Sequence, residues 1–403
     1  MTLEKIGEQA YFSFKINALK FIFSELLRKG FLMNQYIVIG AGILGASTAY
    51  KLARAGADVV VIDRHDAGQA TDAAAGIICP WLSQRRNKAW YKLAKGGARI
   101  YHDLIRELAD DGETATGYAQ TGAISIHTDE QKLAAMKERA LKRREDAPEI
   151  GDVTLLDAKQ TKDAFPHLAD HYASVHVSGA ARVNGRALRN ALIRGAEKHG
   201  ASILHGNAHL TQNGSRITGA EVNGQVIEAD KVIAACGAWT RELLKPLNIQ
   251  FNGTSQKAQI LHLQSPGVDT SDWPVVMPPN DQFMLTLDDR IIIGATHEND
   301  VGFDGRITAG GLNEIITKAL AIAPGLEDST ILEARVGFRP HTPGYLPVIG
   351  TLPGFDGLLV ANGLGSSGLT TGPYIGSQLA NLALGKELEI DLADYDVSGA
   401  LDS

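Results

Sequence analysis

The run Gly40-Ala41-Gly42-Ile43-Leu44-Gly45 is the first place where residue type and spacing point to chemistry. It follows the β-rich Tyr36-Ile37-Val38-Ile39 and opens a helical stretch that Gly56 ends; Val59-Val60-Val61-Ile62-Asp63 comes next. A strand, a glycine turn, a helix and a second strand closed by an acid form the context that a dinucleotide fingerprint requires. Gly40 makes the turn, Gly42 lets backbone approach a pyrophosphate, and Gly45 lets the helix pack against the strand. The helix N-terminus then turns its partial positive charge toward the phosphates. Asp63 is placed to accept hydrogen bonds from an adenosine ribose. The residues after Asp63 decide between NAD and FAD. A nicotinamide enzyme continues with βα repeats, whereas here the small residues of Ala67-Gly68-Gln69-Ala70-Thr71-Asp72-Ala73-Ala74-Ala75-Gly76-Ile77-Ile78 suit close contact with an extended, buried ligand such as FAD.

At this point the chain resembles the FAD-dependent amine oxidoreductases that include glycine oxidase, D-amino acid oxidase, D-amino acid dehydrogenase and sarcosine oxidase. Four stretches carry the resemblance: the glycine turn with Asp63; Thr71 to Ile77; Lys231-Val232-Ile233-Ala234-Ala235-Cys236-Gly237-Ala238-Trp239-Thr240; and Gly337-Phe338-Arg339-Pro340 with the later Gly363-Leu364-Gly365-Ser366-Ser367-Gly368-Leu369-Thr370. The resemblance implies bound FAD. It also implies hydride transfer from an amino acid's α-carbon to flavin N5, and an imine that hydrolyses to an oxo acid. The surfaces it assigns to FAD are Gly40, Gly42, Ile43, Leu44 and Gly45; Asp63 and Arg64; Thr71, Ala75, Gly76 and Ile77; His209; Gly237 and Trp239; and Leu364, Gly365, Ser366, Ser367, Gly368, Leu369 and Thr370.

Flavin chemistry asks two things of the protein. Negative charge gathers near N1 and the C2 carbonyl of reduced flavin, and the turn from Gly365 into the last helix offers a positive helix end there. The substrate carboxylate needs an anchor, for which a forked arginine is suited. Arg339 stands at the arginine of the family's G-x-R-P motif and is the expected anchor. Arg335 shares its strand face and is a second candidate. Phe283 stands near the position of a substrate-side tyrosine in glycine oxidase, and Leu364 and Ser366 replace polar or basic residues there, which makes the pocket more apolar. A D-amino acid, glycine or an N-substituted amino acid all remain open as substrate, and oxygen or a quinone as acceptor. No catalytic base is assigned, and no metal motif occurs. Cys79 and Cys236 read as small packing residues.

The elements that must position these groups form an α/β chain, a Rossmann-type FAD-binding domain interleaved with a mostly antiparallel α+β substrate domain. The FAD-binding segments are 34–118, 180–245 and 340–395; segments 119–179 and 246–339 supply the substrate domain. Asn184 caps a helix bearing Leu188, Ala191, Leu192 and Gly195 on one face, with Gly200 as its stop. Asn223-Gly224 reads as a hairpin turn. Alternating Ile124 and Ile126, Val175 and Val177, and the runs at Ile260, Phe283, Ile291 and Ile331 read as half-buried strands. The mixed segment from Trp81 to Trp90 reads as an entrance or a solvated helix start.

With 403 residues and a formal charge of −7, the chain has room for two cores and lacks the basic face that nucleic acid binding wants. Two readings outside amino acid oxidation stay open: an oxidoreductase acting on a modified tRNA base side chain, against which the charge counts, and a non-catalytic flavin-binding interaction protein. Two distant cysteines fit a reducing, cytoplasmic setting. Residues 1–33 have apolar residues at helical spacing, Phe12, Ile16, Leu19, Phe23 and Leu26, among lysines and arginines. They read as an amphipathic helix for peripheral membrane contact, as an extra packing helix, or as an early start before Met33.

Overall fold

The computed structural model describes residues 34–402. The readings for residues 1–33 lie outside them. Two large sheets organise the chain. The first has six strands in the order Val348–Thr351, Leu358–Asn362, Lys231–Ala234, Gln35–Ile39, Asp58–Asp63, Ser202–His205. All neighbours are parallel except the first pair. Both faces are covered over the inner strands, which is why these are largely apolar. Tyr36, Val38, Val59 and Val61 pack into one core, while Ile37, Ile39, Val60 and Ile62 point the other way into a second. The glycine-turn helix Ile43–Arg54 lies in the first core between the helices Gly185–Lys198 and Gly368–Ala383. A three-stranded sheet covers the opposite face through Ala208, Ile217 and Ala220. Its hairpin turns at Asn223-Gly224, both with positive φ.

The second sheet has eight strands: Thr330–His341, Thr254–Gln264, Arg290–Gly294, Phe283–Leu287, Val275–Met277, Ala123–His127, Ala173–Val177 and Val153–Leu156. It is antiparallel except where Val275–Met277 meets Ala123–His127. Helices Glu130–Arg144 and Ala309–Ile322 pack on it. The Trp81–Trp90 segment lines a cavity and a neighbouring cleft through Ser83, Arg85, Asn87 and Trp90, and only its first residues depart from the reading. Trp81 and Leu82 are buried, with the Arg143 guanidinium donating to the Trp81 and Ser83 carbonyls, and the helix starts only at Lys88, capped by the Asn87 side chain.

One core residue carries a pH prediction. His262 is 2% exposed and neither ring nitrogen has a hydrogen-bond partner, the Glu333 carboxylate standing 3.9 Å from Nδ1. Burial, then the charge of Arg335, push its pKa down to about 4. The unfolded ring titrates near 6.5 (about,), so between these values the unfolded chain binds the extra proton. Stability conferred by the neutral ring is therefore present above about 6.5 and lost as pH falls to about 4. His262→Leu should show a smaller drop in melting midpoint between pH 7 and 4.5 than the parent protein (about that range,); an equal drop would remove His262 from the acid response.

Candidate active site

A cavity of about 690 Å³ runs between the two sheets. Its first end is built by the glycine turn. Gly40 has φ +100, and a Cβ there would lie 2.5 Å from the Ala235 carbonyl oxygen. At Gly45 a Cβ would lie 1.8 Å from the Gly40 carbonyl oxygen, so the helix sits directly on the turn. Gly42 differs: the nearest atom to its imagined Cβ is Thr71 Oγ1 at 3.5 Å, and its missing side chain leaves the space before the helix open to the cavity. No side chain of the N-cap residue occupies that helix end, although Thr71 Oγ1 accepts the Ile43 N–H at 3.0 Å.

Asp63 is buried and already employed. Its carboxylate accepts the Ala41 N–H at 2.6 Å, the His65 N–H at 2.6 Å and the Gln69 amide at 3.0 Å. A carboxylate offers about four acceptor sites, which leaves one for a ribose hydroxyl. Arg64 lines the same end but is paired with Glu242 and Asp66; the Glu242 hydrogen bond chiefly holds its pKa above the ordinary value. His209 lies nearby on the wall.

The middle is lined by small residues and backbone. Leu44, Ala75, Gly76 and Ile77 reach the cavity from one side, Gly237 and Trp239 from another. Gly237 has φ +53 and nothing stands within 4 Å of its imagined Cβ. Trp239 is fixed by stacking on Phe303, ring centres 5.0 Å apart. Leu364, Gly365, Ser366, Ser367, Gly368, Leu369 and Thr370 form a further wall where the helix Gly368–Ala383 begins, again with no side-chain cap. Ser367 Oγ accepts the Trp90 indole N–H at 3.1 Å, and Thr370 Oγ1 donates to the Ile77 carbonyl at 2.8 Å. Two helix starts that lack a cap from their own N-cap side chain, facing one small-residue cavity, fit an anionic dinucleotide with a ring system at its far end. FAD has that shape. Cys79 lies on the wall, but burial pushes its thiol up to about 12, so it is no nucleophile at neutral pH.

Arg339 marks the other end. It lines the cavity from the strand Thr330–His341, and its Nη1 donates to Gln256 Oε1 at 3.0 Å, from the directly opposite position on the neighbouring strand. No carboxylate pairs with it among the described residues. Burial alone pushes its pKa down to about 10, still charged at neutral pH. An enclosed cation without an acid is an arrangement that an anionic ligand completes.

Arg335 does not join it. The turn Ala70–Ala73 closes over the strand at Gly337, whose imagined Cβ would lie 2.9 Å from Ala73 Cβ. Beyond that turn Arg335 is bound to Glu333 and donates to the Asp72 carbonyl at 3.3 Å, outside the cavity wall. Phe283 does line the wall, beside Met277, Pro278 and Ile260. Gly45 supports the turn from behind and does not reach the cavity.

The sequence reading missed His297, Asp281 and Gln256. His297 faces the cavity with Nδ1 3.7 Å from Asp281 Oδ2, and Lys318 pairs with that carboxylate at 3.0 Å. Burial first, then the nearby Arg339 charge, hold His297 below the usual imidazole range. The one signal in the sequence was a polar Thr296-His297-Glu298 cluster directly after an apolar strand, where loops carry function.

Comparison with known proteins agrees with this geometry. The family model described as FAD dependent oxidoreductase (DAO) matches residues 35–382. An uncharacterized oxidoreductase of Bacillus subtilis, YurR, is 61% identical over 371 residues, covering 92% of this chain and all (100%) of that protein. Glycine oxidase of Pseudomonas aeruginosa is 30% identical, covering 91% of this chain and 99% of its own. The crystal structure of iminodiacetate oxidase from Chelativorans sp. BNC1 superimposes with a TM-score of 0.87 at 44% identity, over 90% of this chain and 98% of that one. With the family's sequence pattern, its fold and a cavity shaped for its cofactor all present in one polypeptide, the chain belongs to the DAO family of FAD-dependent oxidoreductases.

Proposed function

We propose that this enzyme oxidises the C–N bond of an N-substituted glycine or similar small secondary amino acid. The observation that carries the reading is Arg339, a guanidinium on the wall of the FAD cavity that no acid among the described residues pairs with. FAD, when bound, supplies the hydride acceptor for the substrate α-carbon. Everything else belongs to the chain. Arg339 holds the carboxylate, and Gln256 fixes the fork so that the α-carbon is presented in one orientation. Phe283, Met277, Pro278 and Ile260 make an apolar flank that accepts a substituent on nitrogen and excludes water. His297 is neutral at pH 7 and adds no second positive charge beside Arg339. The imine, once released to water, hydrolyses to an oxo acid and an amine.

The similarity to iminodiacetate oxidase favours a secondary amine over a primary one. Anaerobic mixing of the FAD-loaded protein with iminodiacetate, sarcosine, glycine, D-alanine and L-proline tests this. The two N-substituted glycines should bleach the flavin fastest. Bleaching by D-alanine or glycine with none by either N-substituted glycine would overturn the reading. Admitting air to the bleached sample assigns the acceptor: rapid recolouring makes the enzyme an oxidase, and recolouring that waits for an added quinone makes it a dehydrogenase.

A further inference from the structure

Next to the main cavity is a smaller cleft of about 290 Å³, bounded by Arg85, Asn87, His341, Tyr345 and the turn Gly363–Ser366. Leu364, Gly365 and Ser366 are walls of both spaces. Arg85 is unlike Arg64 of the main cavity, which two carboxylates neutralise. Its guanidinium carbon lies 4.7 Å from the centre of the Trp90 ring, which itself faces the main cavity, and it donates to the Tyr345 carbonyl. No carboxylate pairs with it among the described residues, and desolvation holds its pKa below the ordinary arginine value.

His341 links the two cations. It stands two residues beyond Arg339 on the same strand, so both side chains leave the same face, their α-carbons about 7 Å apart. Its ring packs against Gly365 and edge-on to Tyr345, ring centres 5.0 Å apart. Its Nε2 is buried without a partner. Burial, then Arg339 and Arg85, keep the ring neutral, with a pKa of about 4, so it carries a single N–H, which the Nε2–H tautomer offers to an anion. Arg339, His341 and Arg85 thus form an arc around the turn Gly363–Ser366 with two uncompensated charges and one free imidazole nitrogen. Two cations that no carboxylate pairs with, one at each of two adjoining spaces, are an arrangement that a ligand with two anionic groups completes.

We propose that Arg85, assisted by His341, holds the second carboxylate of a dicarboxylic substrate whose first carboxylate sits on Arg339. The substrate class is therefore an N-carboxyalkyl amino acid, two carboxylates joined through a secondary amine. The assignment rests on the proposed function for its Arg339 half. It separates this chain from enzymes of monocarboxylic amines by a binding group that a monocarboxylate does not use.

The test is a binding ratio measured by calorimetry on the FAD-loaded protein, with two thioethers in place of the oxidisable amines. Thiodiacetate carries two carboxylates and (methylthio)acetate one. The parent protein should bind thiodiacetate roughly ten- to a hundredfold more tightly, the span of one to two charge-assisted hydrogen bonds. Arg85→Ala should bring that ratio close to one. Arg85→Lys, which keeps the charge and loses the fork, should give an intermediate ratio and decides the matter where Arg85→Ala does not retain FAD. Equal affinity for the two thioethers in the parent protein, or an unchanged ratio in the Arg85 variants, overturns the second subsite; it also covers the case of Arg85 holding some unrelated anion. Arg339→Met separates this from the underlying reading. If it weakens neither thioether, the carboxylate anchor is wrong; if it weakens both while the Arg85 variants leave the ratio intact, only the second subsite is wrong.

Discussion

Arg339→Met should lower kcat/KM by roughly 30- to 5000-fold while leaving the fold at least as stable as before. The first half follows from removing one member of a desolvated charge pair, which costs about 2–5 kcal/mol in the complex. The loss divides between KM and kcat, because the guanidinium both binds the carboxylate and fixes the α-carbon. The second half follows from the absence of any acid beside Arg339 among the described residues: in the free enzyme its charge is desolvated, held only by the Gln256 carbonyl, with its pKa pushed down to about 10. Replacing a half-buried charge that no acid pairs with by an apolar group of similar length removes a part of its desolvation cost. The melting midpoint of the FAD-free variant should therefore equal or exceed that of the parent, and FAD content should be unchanged. A purely structural arginine would behave the opposite way, losing stability and activity together. A kcat/KM within tenfold of the parent value (about,) would exclude Arg339 as the carboxylate anchor.

The glycine turn was legible because its constraints are local. A strand buried on both faces is apolar throughout, and Gly40 admits no side chain because the Ala235 carbonyl stands where one would go. The Asn223-Gly224 hairpin and the Asn184 cap were readable for the same reason: a positive φ or an orphan N–H selects its residue type within a few positions. The anchoring of Arg339 was not. Its partner Gln256 faces it only through strand register, which the sequence on either strand leaves open. Arg335 shows the limit of periodicity. Alternation correctly places it on the face of Arg339, yet the turn Ala70–Ala73, distant in sequence, lies between it and the cavity. Val153–Leu156 and Val275–Met277 escaped notice because strands this short carry no alternation to count. His297 and Arg85 belong to no motif. Their standing comes from what surrounds them, a neutralising neighbour present or absent, and that is a property of the assembled walls.

Two alanine substitutions inside one motif should separate folding from cofactor binding. Gly45→Ala places a methyl 1.8 Å from the Gly40 carbonyl oxygen and 3.3 Å from Val38 Cγ1. Neither the turn nor the helix Ile43–Arg54 can retreat, since the helix is wedged between the helices Gly185–Lys198 and Gly368–Ala383. The clash falls among the overpacking changes that cost more than about 4 kcal/mol, a large share of a domain's stability. Gly42→Ala meets no such obstacle. Its φ of −66 suits any residue and the nearest atom is 3.5 Å away. The FAD-free protein should tolerate it for about 1 kcal/mol or less, the usual scale of a cap change. The methyl then stands where the pyrophosphate must approach the backbone, so FAD affinity should fall on the order of a hundredfold or more, equivalent to about 2.7 kcal/mol. Melting curves of the FAD-free proteins and titration with FAD read the two effects separately. Gly45→Ala should lose the cooperative transition, and Gly42→Ala should keep it while failing to hold FAD through gel filtration. If Gly42→Ala bound FAD within a few-fold of the parent, the pyrophosphate would lie elsewhere in the cavity, and the free space before the Ile43–Arg54 helix would need another occupant.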